Sequence, residues 1–299
     1  VHILHFYHRD FGLMLSRGGV VRAVLDMAGL MAAAGHTVTI LTYAVDDEIP
    51  ADWLQGSPGR PHIKIIDQPT GWRGRFSQSQ LRALTKSHLG SVDLLHLHGT
   101  WATSTAQLAS LARQRNLPYV VSLHGLLDAW CMRQGGLKKR LRLATGARRM
   151  LDGAAAVHTT AQGEKDQALV WVPQAAVRVV PLLFDLAPFQ TMPGPAPVTK
   201  AFPDVITDEP LILFLSRLHV KKGIELLIDA VADLEARSIP GRVVIAGGAY
   251  QQSYEDELQA IVKARGLAHR IFFLGFVTGI EKISLYDAAD LFVLPTSQE

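Results

Sequence analysis

Arg217 and Lys222 flank a short turn in the stretch L-I-L-F-L-S-R-L-H-V-K-K-G, residues 211–223. The apolar run from Leu211 to Leu215 reads as a buried parallel strand. The segment I-E-L-L-I-D-A-V-A-D-L-E-A behind Gly223 reads as an amphipathic helix. A turn joining the two sits at the carboxyl end of a strand, where open α/β sheets bind ligands. It leads into a helix N-terminus, whose free N–H groups favour anions. Two cations facing that crevice suit a diphosphate. A solvated basic turn would have the same composition, so the loops after the other strands must decide between the two readings.

Those loops hold further candidates. His98-Gly99 and His124-Gly125 follow consecutive apolar runs, Asp93 to His98 and Tyr119 to Leu123. Two histidine-glycine pairs thus fall on the ligand-bearing edge of one parallel sheet. The turn after the first strand holds Gly18 and Gly19, which have no Cβ and let a phosphate or sugar approach the backbone closely; a tight turn needing positive φ is the other reading. It lacks G-x-G-x-x-G, which disfavours a nicotinamide cofactor. In the second half, Gly247-Gly248 and Gly275-Phe276-Val277 follow strands on the same edge as Arg217 and Lys222. His96 and His98 share a strand face and raise the question of a metal. No carboxylate stands beside them in sequence, one strand offers only two ligands, and the expectation is no metal.

The elements that must position these residues follow from periodicity. Strands are expected at His2–Phe6, Thr37–Thr42, His62–Asp67, Asp93–His98, Tyr119–Leu123, Ala154–Thr159 and Val177–Leu182 in the first half. In the second they are expected at Leu211–Leu215, Val243–Ala246, Ile271–Leu274 and Leu291–Leu294. Residues 46–61 and 69–79 read as loops, the second mixing Trp72, Arg73, Arg75 and Phe76 and reading as a mobile surface loop or an acceptor contact. The segment 186–210 holds six prolines, a density that opposes a continuous helix or strand, and is expected to link two domains, 1–185 and 211–299.

Composition is that of an ordinary globular protein, with 48% hydrophobic and 19% charged residues in 299. The single cysteine, Cys131, excludes an internal disulfide framework and a thiolate zinc cluster, and fits a reducing, cytoplasmic compartment. No run of about 18 apolar residues marks a membrane span, and no signal peptide opens the chain. Val1 is not an initiator Met and Glu299 ends in a loop just after a strand, so the sequence reads as a piece of a longer chain. Residues 1–185 hold 20 basic against 13 acidic side chains, and residues 186–299 hold 10 against 14, which puts the basic surface on the first half. Its densest part is Leu137–Met150, where six cations alternate with Leu137, Leu141, Leu143 and Met150. A basic amphipathic helix of this type suits an anionic membrane surface or a phosphate-bearing lipid-linked acceptor, and equally a solvated face. No nucleic-acid motif accompanies it.

The series G-G-V-V-R (Gly18–Arg22), A-G-H-T-V-T-I-L-T (Ala34–Thr42), H-G (His124-Gly125), S-R-L-H-V-K-K-G (Ser216–Gly223), I-A-G-G (Ile245–Gly248), F-L-G-F-V (Phe273–Val277) and D-L-F-V-L-P-T-S-Q-E (Asp290–Glu299) resembles the family 4 glycosyltransferases over nearly the whole chain. The resemblance implies the GT-B architecture: two Rossmann-like α/β domains with parallel sheets facing a cleft, the second incomplete here. It implies retaining, metal-independent transfer of a hexosyl unit from a nucleoside-diphosphate sugar to a glycan or lipid-linked acceptor, with no cofactor. Arg217 and Lys222 would hold the donor diphosphate, with Gly18 and Gly19 approaching it from the first domain. Gly247 and Gly248 would line the donor site, and Phe276 and Val277 would lie along the base. His124 would contact the donor sugar, and Glu299 would be the first Glu of the family's E-x7-E motif. His98, Trp101 and Asp128 fall on the acceptor side.

Departure of a nucleoside diphosphate builds charge on phosphate oxygens, and preorganised cations are the matching stabilisers. No Asp-x-Asp motif for a donor-bound metal occurs, and no carboxylate pair suits hydrolase-style double displacement. The rivals are a nucleotide-sugar 2-epimerase of the same architecture and a non-catalytic nucleotide-binding fragment.

Overall fold

The computed structural model describes residues 1–9, 11, 19–45, 49, 51–184, 186–249 and 251–296. Gly18 and Glu299, both expected at the donor site, lie outside the described residues. The chain divides into two compact units, Val1–Asp185 and Leu186–Glu299.

Seven strands build the sheet of the first unit: β1 (His2–Tyr7), β2 (Thr37–Thr42), β3 (His62–Ile65), β4 (Leu94–His98), β5 (Tyr119–Ser122), β6 (Ala156–Thr159) and β7 (Val177–Val179). They lie in the order β3-β2-β1-β4-β5-β6-β7, and every pairing is parallel. Strand order reverses next to β1, between β2 and β4, and such a switch point is where doubly wound sheets bind ligands. The strands are near-continuous apolar runs because helices cover both faces. On one side Phe6, Leu95, Leu97, Val121 and Val157 join one core; on the other Val24, Ala28, Val38 and Ile40 join a second, beneath the helix Gly19–Ala33.

The second unit carries β8 (Leu211–Leu215), β9 (Arg242–Ala246), β10 (Ile271–Gly275) and β11 (Leu291–Phe292), ordered β10-β9-β8-β11 and again all parallel. Phe214, Ile228, Val243, Ile245 and Leu258 fill one side of its core; Val198, Leu213, Val244 and Leu285 fill the other.

Three local features differ from the sequence reading. The proline-rich segment packs on the second unit. It forms the helix Ala196–Ala201, with proline in its first turn, where the missing N–H is not needed. Val198 is fully buried, and Ser284 Oγ both donates to the Gly194 carbonyl (2.6 Å) and accepts from Val198 N (3.2 Å). The basic stretch 136–152 is not one helix: Gly136–Arg142 is α-helical, Leu143–Ala147 is a π turn in which Gly146 leaves helical geometry, and Arg148–Asp152 resumes. Leu143 and Met150 turn into the core while Leu137 and Leu141 stay exposed. Finally, the 69–79 loop is pinned by a Gly71–Arg75 bridge and ends in a capping box, Ser77 with Gln80, that starts the helix Gln78–His88.

Candidate functional site

In the second unit the parallel order brings the four carboxyl ends to one edge, and hydrogen bonds to the backbone tie the loops there together. Leu218 N donates to Gly248 O (3.0 Å), Gly247 N to Gly275 O (2.6 Å), and Thr296 Oγ1 to Lys221 O (3.1 Å). Two glycines make these approaches possible. A Cβ on Gly247, at φ 148°, would stand 1.8 Å from Ser216 O, and one on Gly223, at φ 64°, would stand 2.1 Å from Pro295 O. The structure thereby gathers Arg217, Lys222, Gly247 and Gly248 on one edge, as the sequence reading expects. His219 sits among Arg217, Lys221 and Lys222; burial first and these cations second lower its pKa, so its ring stays neutral and the loop's charge is carried by the three long side chains. Phe276 is half exposed, but Val277 is a core residue packed with Leu211, Leu213 and Leu285. Its side chain therefore belongs beneath the edge, a correction to its expected place along a nucleotide base.

In the first unit the register of β1, β4, β5 and β6 stacks a chain of histidines. His5 is the Cα partner of His96, and Ser122 is the partner of both His98 and His158. His5 Nδ1 lies 2.9 Å from His98 Nε2, and His98 Nδ1 lies 3.0 Å from His124 Nε2. His5 and His98 are fully buried and His124 half-buried. Burial alone pushes His5 down to about 4; burial, then the neighbouring His158, does the same to His124. Burial, with the charges of neighbouring histidines, holds His98 and His96 well below the ordinary value. Near neutral pH these four rings are neutral, with one N–H each. Among the described residues His5 Nε2 is buried without a hydrogen-bond partner. A bare lone pair there costs less than an orphaned N–H, which orients the chain: His5 Nδ1–H donates to His98, His98 Nδ1–H donates to His124, and His124 keeps Nδ1–H to offer a ligand.

A second wire runs beside it. His96 Nε2 and His158 Nδ1 each lie 2.7 Å from Ser122 Oγ, and His158 Nε2 is 2.7 Å from the Val180 carbonyl. The carbonyl can only accept, so His158 donates to it through Nε2–H, and Ser122 Oγ bridges His96 Nε2 and His158 Nδ1.

His124 itself has φ 52°, a conformation L residues rarely adopt. The loop that holds it is clamped by Glu164, which the sequence reading misses: one carboxylate oxygen accepts from Gly125 N (2.6 Å), the other from Thr160 N (2.7 Å). Gly19 opens the helix after β1, and a Cβ on it would meet nothing within 4 Å. Trp101 is partly buried against the core, and its carbonyl accepts from Arg142. Asp128 caps the short helix Ala129–Arg133 through Cys131 N.

The sequence reading counts only two metal-ligating histidines on one strand. The neighbouring strand adds His5, and His5, His96 and His98 offer nitrogens all within 4.8 Å of one another. An ion there would break the His5–His98 bond and bring its charge into a buried site with three neutral ligands. Among the described residues no helix is long and apolar enough to cross a membrane.

Comparison with known proteins follows the same division. The glycosyl transferase 4-like domain family matches residues 18–182, and the family of glycosyl transferases group 1 matches residues 199–299. An uncharacterized glycosyltransferase of Methanocaldococcus jannaschii is 27% identical over 300 residues, covering 94% of this chain and 72% of its own length. The D-inositol 3-phosphate glycosyltransferase of Mycolicibacterium smegmatis is 28% identical over 300 residues, covering 94% of this chain and 66% of its own. The chain thus spans about two thirds to three quarters of these relatives. Among solved structures, Anabaena Alr3699/HepE in complex with UDP has a TM-score of 0.73 at 20% identity, covering 100% of this chain and 75% of that one. The same protein in complex with UDP-glucose has a TM-score of 0.71 at 19% identity, covering 99% and 74%. The fold they share is the GT-B fold.

Proposed function

The chain belongs to the glycosyl transferase 4-like domain family, and from that membership we propose that it moves a hexosyl unit from a nucleoside-diphosphate sugar to a glycan or lipid-linked acceptor, with retention of configuration and no metal ion. The observation that carries this reading is the gathering of Arg217 and Lys222 on one sheet edge by loops that only glycine can close. A leaving diphosphate accumulates negative charge, and cations fixed beforehand stabilise it without reorganising; each such contact is worth about 3 kcal/mol of barrier. That Anabaena HepE is solved with UDP and with UDP-glucose favours the same class of donor.

The first unit contributes His124 in this reading. Its Nδ1–H suits a hydroxyl oxygen of the donor sugar, and its neutrality spares the cationic transition state at the anomeric carbon an adjacent positive charge. Same-face attack leaves deprotonation of the acceptor hydroxyl to the departing phosphate. Gly19 admits a phosphate oxygen close to the backbone at the start of its helix.

Peripheral contact with an anionic membrane, on its cytoplasmic side, fits Leu137 and Leu141, which are 84% and 61% exposed one turn apart and flanked by Lys138 and Arg140. Vesicles containing anionic lipid should retain the chain and release a Leu137→Ser, Leu141→Ser variant; equal retention would remove this part.

Titration of UDP, GDP and ADP, with a chelator present, tests the central claim. One nucleotide should bind, and Lys222→Ala should weaken it at least tenfold. Binding that ignores Lys222, or that vanishes with the chelator, would overturn the metal-free diphosphate site; no binding at all would overturn the donor assignment.

A further inference from the structure

Beside the histidine chain, the first unit has a cavity of about 470 Å³ that the donor reading does not use. That volume lies in the range of small-molecule sites. Its walls come from the carboxyl ends of four adjacent strands: Arg9 follows β1, Tyr43 follows β2, Arg73 lies beyond β3, and Ser104 follows β4. Arg142 closes it from the basic helix, anchored by its bond to the Trp101 carbonyl. Three arginines thus line one cavity with no carboxylate among the described lining residues. Cations converging on a concavity repel one another, and an anion seated among them relieves that repulsion.

A second set of donors points the same way. The twelve-residue helix Thr103–Gln114 starts at the cavity wall behind Ala102, with no side-chain cap and no acidic residue in its first turn. Its positive end therefore meets whatever occupies the cavity. The cavity also adjoins the histidine chain: His8, in its wall, lies 3.3 Å from the His98 carbonyl through Nδ1, against Gly99. Burial, then Arg9, pushes His8 down to about 4, so the ring adds no charge near neutral pH.

We propose that this cavity takes the anionic group, phosphoryl or carboxylate, of the acceptor, so that the chain glycosylates an acidic acceptor in preference to a neutral one. Arginine presents a planar fork that grips either group by two hydrogen bonds. The inference deepens the transferase reading, since it needs the acceptor to sit on the first unit.

The probes are D-glucose, D-glucuronate and D-glucose 6-phosphate, which share one ring and differ in charge. Each is titrated into an Arg217→Ala, Lys222→Ala background, which removes the second unit's competing anion site, and into the same background with Arg73→Gln and Arg142→Gln. At least one anionic sugar should bind, glucose should bind at least tenfold more weakly, and the two added substitutions should remove at least tenfold of the anion's affinity. Binding of one anion alone identifies its group as the one recognised. Failure of both anions, equal binding of glucose, or indifference to Arg73 and Arg142 each overturns the inference. In the otherwise native chain, Arg73→Gln with Arg142→Gln should leave both nucleotide binding and the melting transition of the first unit intact, the latter showing that the mutated unit folds. Nucleotide binding without anion binding therefore sinks this inference alone, and anion binding without nucleotide binding sinks the donor assignment alone.

Discussion

The rings of His98 and His124 lie 5.3 Å apart, 25° from coplanar, and share a hydrogen bond of 3.0 Å between Nδ1 and Nε2. His98 is fully buried and makes a second ring-to-ring bond to His5, so it fixes which nitrogen of His124 carries the proton. We expect His98→Leu, close in volume, to lower kcat about tenfold while donor KM changes less than threefold, because the sugar contact loses its oriented donor and not its cations. His98→Gln, which keeps a donor and an acceptor, should recover part of the loss. Rates of nucleoside diphosphate release measure both, and an unchanged kcat for the leucine variant would dissociate His98 from the reaction.

Protonation works against this cluster. His5 and His124 are pushed down to about 4, and His96 and His98 well below their ordinary value, all chiefly by burial. Their folded pKa lies below the unfolded value, so the unfolded chain binds more protons at mildly acid pH. The stability they contribute is complete above about pH 6.5 and is lost as pH falls toward 4, by about 1.4 kcal/mol per pH unit for each buried ring. Unfolding of the first unit should thus shift to lower temperature steeply between pH 6 and pH 4, with proton uptake. Calorimetry across that range checks it; a flat midpoint would mean that the rings are solvated.

Glu164 should prove as important as the histidine it supports. Its two oxygens accept from Gly125 N and Thr160 N, and a third contact at 3.1 Å joins Thr160 Oγ1. Glu164→Ala leaves two N–H groups without their acceptor, a cost of about 1–3 kcal/mol each if water does not replace it. We expect a lower melting temperature and a kcat reduced at least tenfold, with nucleotide affinity held by the second unit nearly unchanged. Loss of nucleotide affinity in step with kcat would show general unfolding instead.

Most strands were legible because buried parallel strands are short apolar runs, and the loops at Gly99, Gly125, Gly247-Gly248 and Gly275 because each follows such a run. Arg217, Lys222 and Gly247 could be assembled from sequence by assuming one parallel edge, which β8 and β9 supply. His5 could not: no glycine loop marks it out in β1, and only the order β2-β1-β4-β5 sets it against His96, 91 residues away. Glu164 likewise reads as an ordinary first-turn acid of its helix until its loop partners are in place. The proline-rich segment misled because proline was weighed as a helix breaker, whereas a helix of six residues uses it at its start. The amphipathic reading of 137–150 assumed one helical phase, which the π turn at Leu143–Ala147 interrupts.

Two glycine substitutions separate folding from ligand approach. At Gly247 a Cβ would meet the Ser216 carbonyl oxygen at 1.8 Å, against backbone that strand pairing holds in place, and φ is 148° besides. Gly247→Ala should therefore destabilise the second unit by about 2–4 kcal/mol and lose the nucleotide with it. At Gly19 a Cβ meets nothing within 4 Å among the described residues, and alanine is the better helix former, so Gly19→Ala should leave the melting temperature unchanged or slightly raised. If a donor phosphate packs on that backbone, the added methyl must still exclude it, and nucleotide-sugar affinity should fall at least tenfold with the fold intact. Titration and calorimetry on the same samples read both effects, and a Gly19→Ala variant that binds donor normally would remove Gly19 from the phosphate site.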